Sequence, residues 1–232
     1  MKGGSSDPMW KPWNIAAEPF PEAASTALGK LTDTTAQVIL AVLSALFLIG
    51  LSVLIGSVLN RVMREKGFAS LSALQPVLSG VVGLCLYLRF GISVTLLQGL
   101  FLFFVLLYAS MSDLTTHTVD DCVWVAVLAL GLLSIPTLGL PAMLLGAMLV
   151  FIPQLALALI PPHQTLGGAD IKLSTALAFL LSGWKSVVAY TLGLLLAVVV
   201  VSIYHRKQKS AAKQPFALEP FLSIGAMILF FV

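Results

Sequence analysis

Charge is what this sequence has least of. Only 10% of its 232 residues are Asp, Glu, Lys or Arg, against about 25% in soluble proteins. That is too little to cover a soluble domain of this length, so an ordinary water-soluble fold is excluded. Hydrophobic residues make up 59% of the chain, which excludes a disordered chain as well. Cysteine is nearly absent. Cys85 and Cys122 both lie in apolar runs and neither belongs to a C-x-x-C pair, so a disulfide framework or zinc ribbon is not expected. They read as small buried hydrophobes. The net charge of +3 is not massed in one patch, so no nucleic-acid partner is expected. A secretory signal peptide is also missing: residues 1–33 have no apolar core of about 7–15 residues. Trp10, Trp13 and Phe20, set among prolines, read instead as an extracytoplasmic, interfacial tail.

What the chain does have is long charge-free stretches. A membrane-spanning helix needs about 20 apolar residues to cross a hydrocarbon core of roughly 30 Å. Uncharged runs cover Thr34–Asn60, Gly67–Leu88 and Phe90–Ser112. Cys122–Ala169 is long enough for two spans, with a hairpin near Pro136 to Pro141 and a break at Pro161-Pro162. Asp170–Trp184, Ser186–Tyr204 and Phe216–Val232 complete an expected all-α, polytopic bundle of about eight spans over residues 34–232. Its principal partner is the lipid bilayer. With the N-terminus outside, the inner segments hold eight Lys and Arg and the outer ones five. Cytoplasmic loops are the basic ones, so this orientation is preferred. The basic Arg206 to Lys213 segment reads as a solvated cytoplasmic loop.

Scarcity makes each acid easy to place. Asp113, Asp120, Asp121, Asp170 and Glu219 lie against apolar segments, where ionised carboxylates are costly. Asp113 follows the third span and Asp170 follows the fifth, so parity puts both on one side of the membrane. Asp170 to Lys185 is 16 residues, about 24 Å of helix, which draws Asp170 to or just below the interface. Two nearby, partly buried carboxyls can share one proton, the requirement for an aspartyl protease: one carboxylate deprotonates water and the other, protonated, polarises the scissile carbonyl. The plainer reading is capping: Asp170, Asp120 and Asp121 each precede an apolar run, and Asp is a common helix cap. A proton- or ion-coupled transporter would use such carboxylates too. A metal site on Asp113 and His117, spaced i, i+4, with His163 near Asp170, is a further alternative. The three threonines Thr115, Thr116 and Thr118 argue against a regular helix there.

The residues around the acids carry a resemblance. Gly167-Gly168-Ala169-Asp170-Ile171-Lys172 resembles the G-x-G-D motif of the type IV prepilin and preflagellin peptidases. Asp113, Val119 and Asp121 fit that family's other motif, with Asp120 standing where Pro is usual. Glu219-Pro220-Phe221-Leu222-Ser223-Ile224-Gly225 resembles its closing helix, with Glu219 where Gly is common and solvation at the interface as its default reading. The resemblance implies an aspartyl endopeptidase of the cytoplasmic (inner) membrane, its active site facing the cytoplasm. Such an enzyme removes short basic leaders from prepilin-like membrane substrates. Asp113 and Asp170 would be the catalytic pair, and Gly167 and Gly168 would let the backbone turn tightly near the substrate. Lys172 would balance the carboxylates or face headgroups, and Asp120 would perturb the pair or meet the basic leader beside Asp121. Ala169 replaces the second motif glycine, which puts the loop geometry in question because Ala disfavours positive φ. Proteolysis implies no cofactor and no metal. Larger members also methylate the new N-terminus, with S-adenosylmethionine as donor, but no binding motif for it is present and that activity stays open. Their soluble domain, often bearing C-x-x-C pairs, is replaced here by the short Arg61 to Ser70 loop. Presenilin-like proteases typically place Tyr directly before the first Asp. Here Ser112 precedes Asp113, and the nearest Tyr is Tyr108.

Overall fold

The computed structural model describes residues 22–68, 73–160, 167–207 and 216–232. Trp10, Trp13, Phe20, the Pro161-Pro162 break, His163 and the basic Lys209 to Lys213 stretch lie outside them. The described elements are helices: α1 (Glu22–Glu65), α2 (Leu74–Phe90), α3 (Val94–Thr116), α4 (Asp121–Leu132), the single turn α5 (Ile135–Leu138), α6 (Leu140–Leu159), α7 (Gly168–Leu181), α8 (Gly183–Lys207) and α9 (Glu219–Phe231). Helix is the expected outcome for apolar segments in lipid, where every backbone N–H and C=O must be satisfied within its own segment. No strand occurs among the described residues.

The chain divides into two units, Met1–Leu46 and Phe47–Val232. The described part of the first is the leading half of α1, whose Val38, Ile39, Leu40, Val42 and Leu43 are all exposed. A row of exposed aliphatic side chains suits lipid, not water. Among the described residues, four helices are long and apolar enough to cross a membrane: Asp33–Glu65 within α1, α3, α6, and α8 as far as Tyr204. The chain is a membrane protein. The other helices are shorter, and α7 departs from the expected Asp170–Trp184 segment. It ends at Leu181, about 21 Å long at 1.5 Å per residue. Ser182 then takes φ 60°, and Trp184 and Lys185 open α8 instead of closing α7.

Within the second unit α7 is a deeply enclosed helix. Leu173, Leu177, Leu180 and Leu181 pack with Leu102 and Leu106 of α3 and Val123 and Val127 of α4. Lipid tails are as apolar as leucine, so helix association in a bilayer leans on close packing and interhelical hydrogen bonds, each worth about 0.6–2 kcal/mol. Both devices are present. Gln154 of α6 and Ser174 of α7 bond at 2.8–2.9 Å. Gln98 of α3 donates to Ser134 at 3.2 Å, and Ser110 of α3 meets Ser223 of α9 at 3.1 Å. α8 and α9 approach so closely that a Cβ on Gly193 would lie 2.9 Å from Leu222 Cα. One expectation fails here. Cys85 and Cys122 are exposed, not buried. An apolar run in a membrane chain does not say which of its residues face the bundle and which face lipid.

Candidate functional site

Asp113 sits in the last turn of α3. It continues the face that carries Leu106 and Ser110 at helical spacing, and that face packs inward, leaving Asp113 only 6% exposed. Its Oδ2 accepts the backbone N–H of Glu219 at 3.0 Å. The first N–H groups of any helix lack partners inside it, and α9 has no side-chain cap of its own. Asp113 of α3 therefore serves as the cap of α9. A carboxylate at a helix N-terminus is favoured by the aligned peptide dipoles. His117 ends α3 in the left-handed region (φ 51°) and is exposed. α3 is helical through Thr116, despite the threonines, because Thr115 and Thr116 bond back to the carbonyls of Met111 and Ser112.

Asp170 stands in the first turn of α7, three residues after the cap position of Gly167. Its carboxyl lies within hydrogen-bonding reach of the Gly167 backbone N–H, as in the reciprocal half of a capping box. A Cβ on Gly167 would lie 2.9 Å from Asp170 Oδ2. This glycine therefore makes room for a carboxylate. Neither Gly167 nor Gly168 has a positive φ, and the residues leading into Gly167 lie outside the described ones. Gly168 faces open space, and Ala169 lies in regular helix, where a methyl group is accommodated.

The structure brings Asp113 and Asp170 within electrostatic reach of each other and adds a third acid. Glu219 is fully buried, which corrects the expectation of a solvated interfacial residue. Its carboxyl is within hydrogen-bonding reach of Asp170 and feels the charge of Asp113. The sequence held the signal for this. Glu219 follows the seventh expected span, so the parity that paired Asp113 with Asp170 applies to it equally.

The remaining candidates are placed elsewhere. Lys172 Nζ donates to Asp121 Oδ1 at 2.8 Å, and Trp124 Nε1 donates to the same oxygen at 2.9 Å. Lys172 thus balances Asp121 on the exposed side and not the buried pair. Asp120 occupies the cap position of α4, but its side chain does not cap. It accepts the Tyr108 hydroxyl at 2.8 Å, and that hydroxyl accepts from Lys66 Nζ at 3.0 Å. Neither Asp120 nor Asp121 joins the buried acids. No group of three or more His, Cys, Asp or Glu arranged to hold a metal ion occurs among the described residues.

Beside the acids lies an apolar cavity of about 350 Å³ between α2, α3 and α9. Leu78, Val82, Phe103 and Met227 line it, and Ser110 and Pro220 bring one end to the neighbourhood of Asp113 and Glu219.

Residues 100–205, from within α3 to near the end of α8, match the family model described as the type IV leader peptidase family. Over these residues the chain is similar to the type IV leader peptidases. Asp113 and Asp170 both fall inside the leader peptidase match, and Glu219 falls outside it. Neither a curated protein nor a solved structure shows significant similarity to the chain.

Proposed function

We propose that the protein is an aspartyl endopeptidase that removes the short basic leader from prepilin-like membrane proteins. One observation carries this reading. Within the residues matching a leader peptidase family, α3 and α7 bring Asp113 and Asp170 within electrostatic reach at one end of a membrane bundle, Asp113 buried and Asp170 half-buried. Two adjacent carboxyls in a poorly solvated site cannot both ionise freely, so one proton is shared. The carboxylate takes a proton from a water molecule as the water oxygen attacks the scissile carbonyl, while the carboxyl hydrogen-bonds the carbonyl oxygen. When the tetrahedral intermediate collapses, the leaving amine gains a proton and the pair is again left with one. The reaction consumes water alone.

The apolar cavity supports the same reading. A substrate cut beside its hydrophobic segment presents an apolar stretch next to the reacting bond, and the groove of α2, α3 and α9 would accept such a stretch, with Ser110 and Pro220 of its lining close in sequence to Asp113 and Glu219. Eight crossings with the N-terminus outside would put this end of the bundle at the cytoplasmic face of the inner membrane, in line with the eight-to-five distribution of Lys and Arg.

The test is cleavage of a panel of prepilin-like substrates by the protein reconstituted in membranes. Asp113→Asn and Asp170→Asn are each expected to abolish cleavage with insertion intact. Full activity in either variant refutes the assignment. Proton or ion flux through liposomes that depends on Asp113, with no cleavage, would replace it by a transporter.

A further inference from the structure

The reaction above needs two carboxyls, and the site contains three. Glu219 opens α9 and is fully buried. Its backbone N–H holds Asp113 Oδ2 at 3.0 Å, and its side chain lies within hydrogen-bonding reach of the Asp170 carboxyl. Neither of its carboxyl oxygens accepts an N–H or O–H from any other described side chain or backbone group.

The charges around it offer no compensation. α3 brings Asp113, with His117 near that carboxylate. α7 brings Asp170, and α8 brings Tyr190 within reach of Asp170. Among the described residues, Lys172 is engaged with Asp121 and Lys66 with Tyr108. A buried, unpaired carboxylate is expensive. An ionised carboxylate is also only an acceptor, so Glu219 and Asp170 can bond only through a proton.

We propose that Glu219 is a positioning residue for the water-activating pair: as a protonated carboxyl it donates its O–H to Asp170, while its backbone N–H holds Asp113, so that one residue orients both aspartates. The proposal rests on the leader-peptidase reading. Glu219 does not touch the substrate; it acts through the two carboxyls that do. Its ionisation places an additional charge against Asp170, so raising the pH disables the site through Glu219 as well as through the pair itself.

The full-length protein in nanodiscs, assayed for kcat and KM on a prepilin-like substrate across pH, tests this with three variants. Glu219→Gln keeps the shape and an N–H donor but cannot ionise. It is expected to lower kcat by about threefold at the optimum, one modest hydrogen bond's worth, and to extend the alkaline limb of the profile by about one pH unit. Glu219→Leu keeps the bulk and loses the donor, and its kcat is expected to fall by about 100-fold with KM little changed. Glu219→Asp shortens the reach and should fall between them. Infrared spectroscopy supplies a readout independent of activity: at neutral pH the parent protein is expected to show a protonated-carboxyl C=O band beyond the one given by the shared aspartate proton, and Glu219→Gln is expected to lose that additional band. Superimposable pH profiles for the parent and Glu219→Gln, full kcat in Glu219→Leu, or no such band overturn the proposal. If the band behaves as expected but the parent cleaves no substrate, the leader-peptidase reading is what fails.

Discussion

The two ends of the Phe47–Val232 unit treat buried polarity in opposite ways. At the far end the groups are neutral and matched: Gln98 donates to Ser134 Oγ and to the Leu130 carbonyl. Of the cations there, Arg89 stays exposed and donates to the Phe231 carbonyl at 3.0 Å, next to Phe90, which meets Phe230 edge-on and stacks on Phe231. At the near end, about 22 Å along α3, three carboxyls converge, with His117 near Asp113 and no ion pair to any of the three among the described residues. The far end is a joint whose groups answer one another. The near end holds acids without a salt-bridge partner among the described residues, and buried unsatisfied groups in a membrane are kept for what they do, not for stability. Similar helices thus carry a structural polar cluster at one terminus and a chemical one at the other.

The sharpest way to break this contrast is to remove its acids. Asp113→Asn and Asp170→Asn are each expected to lower leader cleavage by about 1,000-fold or more, with thermal unfolding in detergent little changed. Asn at 113 can still accept the Glu219 N–H, so α9 stays docked; loss of the fold in that variant would show that the acid end is structural after all. The next largest effect separates two neighbouring glycines. Gly167→Ala puts a methyl group against Asp170 Oδ2 and is expected to lower kcat by about 100-fold, because a displacement near 1 Å costs that much. Gly168→Ala meets open space and is expected to be near neutral in kcat. Equal effects in the two variants would mean that flexibility, not room, is what the glycines supply.

At the far end, Gln98→Leu is expected to destabilise the protein by about 0.6–2 kcal/mol in thermal or denaturant unfolding and to leave kcat unchanged. A matching loss of activity would couple the two ends and remove the distinction. The smallest effect belongs to Lys172→Ala. Its pair with Asp121 is exposed, and such pairs are worth about 0.2–1 kcal/mol. A large fall in cleavage at constant stability would mean that Lys172 serves the substrate and not Asp121.

How much of this was legible in the sequence depended on the kind of interaction. Charge-free runs gave the helices, because lipid leaves a chain few other options, and parity placed Asp113 and Asp170 at one end. The same parity reached Glu219, but its setting beside Pro220 at the edge of an apolar segment looked like an ordinary interface. Its burial depends on α3, α7 and α9 packing together, which no local pattern encodes. Lys172 was uncertain for a similar reason: its partner Asp121 is 51 residues away. The true end of α7 escaped because Ser182 adopts a left-handed φ that a serine does not advertise.

The bond from the Glu219 N–H to Asp113 joins residues 106 positions apart. A chain still being synthesised therefore owns both aspartates long before it owns the group that holds one of them. Until α9 has entered the membrane and docked against α3 and α8, the acids are present but unset. A copy that stops short of α9, inserted beside its substrates, would carry the chemistry without the means to aim it.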